Sequence, residues 1–259
     1  MEKPILMIHG VGCGGDAWSV MAPLMQDKGW TPYTPTLYPQ FRVKENPTGQ
    51  LSTLGLHDYV EAAKSEALAI ERSTGEEPVL MGHSMGANTT LQLAVDRPES
   101  VRGIVLEDPA FFMNQVPDSP SRVDEIRRNM HAWISEMQAM PFEQVVMRCI
   151  NDNPTWRAEE LIAWAESKRQ FGEKMEHFGP AQSNPWQELV PQLRVPTLLV
   201  VADPAKGGLV TAEAAATARA LSAHVEVALI RNVGHCIRRE APLAFEKLVA
   251  TYAQRIATR

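Results

Sequence analysis

The chain has 259 residues, 44% of them hydrophobic and 22% charged, enough for one large α/β domain or for a core domain carrying an insertion. A net charge of -6 leaves no basic surface for nucleic acid or anionic lipid, so neither a nucleic acid nor a membrane is an expected partner. No apolar stretch is long enough to cross a bilayer, the first residues lack a signal-peptide layout, and Cys13, Cys149 and Cys236 lack metal-ligand spacing; a cytoplasmic location with neither zinc nor a disulfide framework is expected.

Ile5-Leu6-Met7-Ile8 is uniformly apolar and predicts a buried strand ending at His9-Gly10. The following loop also matches a dinucleotide fingerprint at Gly10, Gly12 and Gly15. That use needs an acid at the end of the next strand to hold a ribose, and residues 30–40 contain none. The other use of such a loop is an oxyanion hole, in which flexible backbone brings an amide to a developing negative oxygen; Val11 is the expected donor, beside Met85. Residues 18–28 have helical spacing in Val20, Leu24 and Met25, with Gly29 placed as a C-terminal cap. Prolines break a second strand over residues 30–37, which places it towards an edge. Residues 38–57 form a loop rich in Pro, Gly and polar residues, positioned to line an entrance. Asp58 and Glu61 predict the start of a helix reaching Thr74, which Gly75 ends.

Val79-Leu80-Met81 then turns abruptly through Gly82-His83-Ser84-Met85-Gly86 into a helical pattern of Leu91, Ala94 and Val95. This is the layout of a nucleophile elbow. A serine hydroxyl attacks a carbonyl only if a base takes its proton and the hydroxyl stands clear of its own backbone, and a strand-to-helix turn flanked by glycines provides that clearance. The turn also directs the first amides of the helix at the reacting centre.

Residues 101–106 predict another buried strand, ending in Glu107-Asp108-Pro109. Over residues 111–190 the strand pattern gives way to amphipathic helical segments, read as a helical lid inserted into a core formed by residues 1–110 and 191–259. Residues 124–140 carry Ile126, Met130, Trp133, Ile134 and Met137 at helical spacing, and residues 159–171 carry Leu161, Ile162, Trp164 and Ala165. The soft and flat side chains Trp133, Trp164 and Met137 are expected to line an adaptable apolar substrate cavity. Beyond the lid, residues 197–202 and 225–230 predict strands, with helices over 211–221 and 242–256. Strands alternating with helices imply a mostly parallel, twisted sheet, whose carboxyl ends gather the reactive groups: His9, Ser84, Asp108, Asp203 and His235.

His235 follows the last strand and a glycine, and comes after Ser84 in the chain, so it is the expected general base. His9 is expected to prop the oxyanion loop, His83 occupies the variable position of the elbow, and His57, His131, His177 and His224 are read as surface or lid residues. On His9-Gly10, Gly82-His83-Ser84-Met85-Gly86, Asp108-Pro109 and Gly234-His235 the chain resembles the α/β-hydrolase superfamily over nearly all its length. Residues 9–18, Thr34-Pro35-Thr36-Leu37 and residues 55–60 are similar to small esterases and hydroxynitrile-lyase-like proteins. The resemblance implies a Ser-His-Asp triad that hydrolyses a carboxylic ester or lactone through an acyl-enzyme, with no metal and no organic cofactor. The expected partner is an apolar small-molecule ester or lactone. One departure concerns the acid, because the position where relatives usually carry it is Ala205. Asp203 from a shifted loop and Asp108 at the end of the preceding strand both remain; Asp108 is preferred, since Asp203 sits too close to its strand to match the usual register. A cofactor-independent dioxygenase or lyase using a His-Asp dyad, and a slow-turnover ligand receptor, are the competing functions on the same fold.

Overall fold

A computed structural model describes residues 2–37, 56–111, 120–171 and 184–257. Among these residues β1 (Pro4–Ile8), β2 (Thr31–Tyr33), β3 (Val79–His83), β4 (Gly103–Glu107), β5 (Thr197–Val201) and β6 (Val225–Leu229) form one sheet in the order β2-β1-β3-β4-β5-β6. Every neighbouring pair is parallel. The helices are α1 (Met21–Gln26), α2 (Leu56–Thr74), α3 (Met85–Asp96), α4 (Pro120–Ala139), α5 (Phe142–Asp152), α6 (Ala158–Phe171), α7 (Trp186–Leu189), α8 (Ala212–Leu221), α9 (Ile237–Glu240) and α10 (Pro242–Ala257).

The central strands β1, β3, β4 and β5 are mostly apolar and fully buried because helices cover both faces of the sheet. Successive side chains point to opposite faces. Leu6, Ile8, Leu80, Ile104, Leu106, Leu199 and Val201 therefore meet α2, α3 and α8 on one side. Ile5, Met7, Val79, Met81, Val105, Leu198 and Val200 meet α1 and α10 on the other. Burying one such side chain stabilises by about 1.5–3 kcal/mol, so the two layers outweigh any preference of the strand residues themselves. The edges are less covered: β2 is half-buried and contains Pro32, and β6 exposes Glu226 and Leu229.

Several elements differ from their expected bounds. The helix expected over residues 18–28 is split into a 3-10 turn, Gly15–Trp18, and the short α1. Pro23 explains the late start, because proline is tolerated only in the first turn of a helix, where its missing N–H is not needed. Helix α2 begins at Leu56, which is buried, so Asp58 falls within its first turn instead of capping it. The insertion contains α5, with Val145 and Cys149 buried and Met147 exposed, an element not distinguished in the sequence. Phe111 and Trp186 stack at 4.5 Å where the insertion leaves and rejoins the core. The expected entrance loop lies, up to residue 55, outside the described residues, as do residues 112–119 and 172–183 of the expected lid. Among the described residues no helix is long and apolar enough to cross a membrane.

Candidate active site

Ser84 stands where β3 ends and α3 begins, beside β1, from which the sheet order runs outwards in both directions. Open parallel sheets form a crevice at such a switch point. Ser84 has φ 57 and ψ -120, a region that L side chains rarely occupy and that costs of order 1–3 kcal/mol. The turn persists because its surroundings hold it. Ser84 N donates to Glu107 O at 3.0 Å, and Ser84 O accepts from Ala87 N and Asn88 N. A Cβ on Gly86 would come within 2.3 Å of Ile8 O, and one on Gly82 within 2.2 Å of Gly86 O, so the sharp reversal next to β1 requires glycine at both positions.

His235 is brought to the same end of the sheet by the loop after β6, and its Nδ1 lies 2.7 Å from Asp108 Oδ2. Asp108 directly follows β4, is fully buried and has φ 40. Leu209 N and Val210 N donate to its carboxylate at 2.9 and 3.1 Å. A carboxylate held in this way keeps the proton of a neutral imidazole on Nδ1 and leaves Nε2 as the basic nitrogen. Asp203 does something else. Its carboxylate accepts from Ala205 N at 3.0 Å and Asn232 N at 3.4 Å, capping the turn Pro204–Lys206 and tying it to the loop that leads to His235.

The loop after β1 lies alongside. The His9 ring is fully buried, with Nδ1–H donating to Gly10 O at 2.9 Å and Nε2 accepting from Leu37 N at 3.0 Å. Thr36 Oγ1 accepts from Gly15 N at 2.8 Å, so the Thr34-Pro35-Thr36-Leu37 segment braces the whole loop. Burial lowers the His9 pKa to about 4, which keeps this brace neutral. Val11 is partly exposed at the turn. Met85, the first residue of α3, is at a position whose amide a helix leaves without an intrahelical acceptor.

His83 had no assigned task in the sequence. Its Nε2–H donates to His235 O at 3.1 Å, and the two rings are 4.5 Å apart. Desolvation, with Arg238 and His235 nearby, holds its pKa well below the ordinary value. It therefore acts as a neutral strut under the His235 backbone.

Three buried cations lie near these residues, and none was foreseen. Arg238 Nη1 donates to Glu107 Oε2 at 3.1 Å and its guanidinium lies over Trp18. Arg239 Nε is 2.7 Å from Glu160 Oε2 on α6, both side chains being buried. Lys168, also on α6, donates from Nζ to Gly12 O at 2.6 Å. The adjacent Arg238-Arg239 pair after His235 was the available signal, because two arginines there need buried partners.

Of the residues expected to line a cavity, Trp133 and Trp164 meet edge to face at 5.8 Å over Lys168. Met137 is elsewhere: it is fully buried among Val145 and Ala165 inside the insertion and offers no surface to a ligand. Its helical spacing placed it on the apolar face, and that face is taken up by α5 and α6. Among the described residues no three His, Cys, Asp or Glu side chains are grouped to hold a metal ion.

The alpha/beta hydrolase family model matches residues 5–248, and the chain belongs to that family. Solved structures agree with the fold. An N-formylmaleamic acid deformylase from Pseudomonas putida is 19% identical, with a TM-score of 0.69 over 96% of this chain and 92% of its own. A thermophilic esterase from Thermogutta terrifontis is 17% identical, with a TM-score of 0.73 over 99% and 91%. The peroxisomal alpha-beta-hydrolase Lpx1 from Saccharomyces cerevisiae is 15% identical, with a TM-score of 0.75 over 100% and 78%. No curated protein sequence matches the chain significantly.

Proposed function

We propose that the protein is a serine hydrolase that cleaves a carboxylic ester or lactone of a small molecule through an acyl-enzyme. The observation that carries this reading is the placement of the Asp108 carboxylate 2.7 Å from His235 Nδ1, at the sheet end where Ser84 occupies its strained turn. His235 Nε2 takes the proton of Ser84 Oγ as the oxygen attacks the carbonyl, and Asp108 stabilises the imidazolium that results. The amides of Val11 and Met85 receive the oxyanion. The imidazolium then protonates the leaving alcohol, and a water activated by the same nitrogen releases the acid. The helices α4 to α6 act as a lid, with Trp133 and Trp164 supplying apolar walls for the substrate's carbon skeleton.

The test is p-nitrophenyl ester turnover together with fluorophosphonate labelling. Ser84→Ala should lose activity on the order of 10³-fold or more and no longer take the label. A Ser84→Ala protein that keeps half its rate would end the acyl-enzyme reading and move the chemistry to the His235–Asp108 dyad.

A further inference from the structure

Lys168 is almost fully buried, yet it faces no carboxylate within ion-pair distance among the described residues. Its neighbours explain why this matters. Arg238 is paired with Glu107 and Arg239 with Glu160, so the other two buried cations are balanced. Among the described residues the Lys168 ammonium has one short acceptor, Gly12 O at 2.6 Å, and a long one, Ser167 Oγ at 3.5 Å. That hydroxyl already donates to Trp164 O at 2.7 Å. Among the described residues the surroundings of Lys168 also include the rings of Trp164 and Trp133, at 5.0 and 5.5 Å, cysteine thiols, and the Arg239 guanidinium, whose positive charge adds to the cost of charging Lys168. Burial raises the Cys149 and Cys236 thiols to about 11, so they are protonated at neutral pH and provide no negative charge. An ammonium has three N–H groups, and desolvating its charge is costly unless an anion compensates. Holding one carbonyl would need only a neutral donor.

The position fits the reaction centre. Gly10 packs against Ser84, since a Cβ there would lie 3.3 Å from Ser84 Cβ. Gly12, two residues on, bears the carbonyl that Lys168 holds, and two residues of chain span at most about 7 Å. We propose that Lys168 binds an anion supplied by the substrate, and that the hydrolysed compound carries a carboxylate a few carbons from its scissile carbonyl. The carbon chain lies along the Trp133 and Trp164 rings, and its acid end supplies the counter-charge that the described residues do not. This proposal rests on the Ser84 hydrolase reading and narrows its substrate to half-esters or related derivatives of short dicarboxylic acids. Burial of Lys168 lowers its pKa, as expected for an ammonium not yet paired.

The test compares p-nitrophenyl valerate with mono-p-nitrophenyl glutarate, in which a carboxylate replaces the terminal methyl. The wild-type protein should prefer the glutarate by about 10-fold or more in kcat/KM, the worth of one hydrogen bond to a charged group. Lys168→Met should collapse that ratio towards one, and Lys168→Arg should keep part of it. No wild-type preference, or a Lys168→Met protein that loses both substrates equally, would make Lys168 a structural tie to Gly12 and overturn the proposal. Calorimetric titration of Ser84→Ala with free glutarate separates the two readings. Glutarate binding lost in Ser84→Ala/Lys168→Met, with no ester hydrolysed by the wild type, would sink the acyl-enzyme and leave the anion site standing. Ester hydrolysis without preference and without glutarate binding would do the reverse. If Lys168→Met does not fold, the wild-type ratio and the titration of Ser84→Ala still decide.

Discussion

Asp108 and Asp203 each follow a core strand and each precede a proline, but their carboxylates have different tasks. Asp108 accepts two backbone amides and faces His235; Asp203 caps a turn. Asp108→Asn would put an amide where an acceptor is needed and favour the wrong His235 tautomer, so kcat should fall by about 10²- to 10⁴-fold in a folded protein. Asp203→Asn keeps an oxygen for Ala205 N, and its effect should be confined to about 1 kcal/mol of stability with far less change in rate. Steady-state kinetics of the two variants, each checked by circular dichroism, gives the answer; a dead Asp203→Asn beside an active Asp108→Asn would reverse the roles. Ser84 and His235 were legible in the sequence because their signals are local: a glycine-flanked turn after an apolar run, and a Gly-His after the last one. Lys168 and Glu160 were not. Their partners, Gly12 and Arg239, are 156 and 79 residues away, and a Lys or Glu beside another charged residue on a helix reads as a solvated face.

At the scale of elements, α6 is fastened to the core at two points. Glu160 holds Arg239, four residues after His235, and Lys168 holds Gly12 in the loop after β1. Removing one partner of a buried ion pair leaves the other charge uncompensated, which costs about 3–5 kcal/mol, whereas replacing both with apolar groups is often neutral. Glu160→Gln should therefore destabilise strongly and Glu160→Met/Arg239→Met much less, as read by urea unfolding. Hydrogen exchange shows where the loss falls: amides of α6 should lose protection before those of β3. A Glu160→Gln protein with wild-type stability would mean that Arg239 does not depend on this partner. The bounds of α6 follow from its regular apolar spacing to within about a residue, whereas α1 is shorter than its spacing implies, because Pro23 overrides the periodicity. Helix α5 was not distinguished in the sequence, although Val145 and Cys149, four residues apart, mark a well-defined buried face.

The whole molecule was legible in outline, since uniformly apolar strands alternating with amphipathic helices allow few arrangements other than a parallel sheet covered on both sides. That same two-sided burial makes stability depend on pH. His9 and His83 are enclosed beside the sheet and stay neutral in the folded state, with the His9 pKa at about 4 and that of His83 well below 6.5. In the unfolded chain both titrate near 6.5. Below that pH the unfolded state binds protons that the folded state does not, so their contribution is fully present above about 6.5 and is lost as pH falls. For His9 the loss between pH 6.5 and pH 4 is about 3 kcal/mol, since one proton bound only by the unfolded chain costs about 1.4 kcal/mol for each pH unit. Glu107 works the other way, since burial raises its pKa and lets the folded state take up a proton early, although the Arg238 pair limits that rise. Asp16 is a second carboxylate whose pKa burial raises, held back by Arg239; both carboxylates titrate from a lower starting point than the histidines, so the histidines dominate first and leave a net loss on acidification from neutral pH. Urea midpoints measured at pH 7.5, 6 and 5 should fall steadily, and His9→Gln, which keeps a donor and an acceptor but cannot take up the proton, should flatten the fall by up to about 1.4 kcal/mol per pH unit below pH 6. Equal slopes for the wild type and His9→Gln would mean that His9 is protonated within the fold, and that the loop after β1 does not rest on a neutral brace.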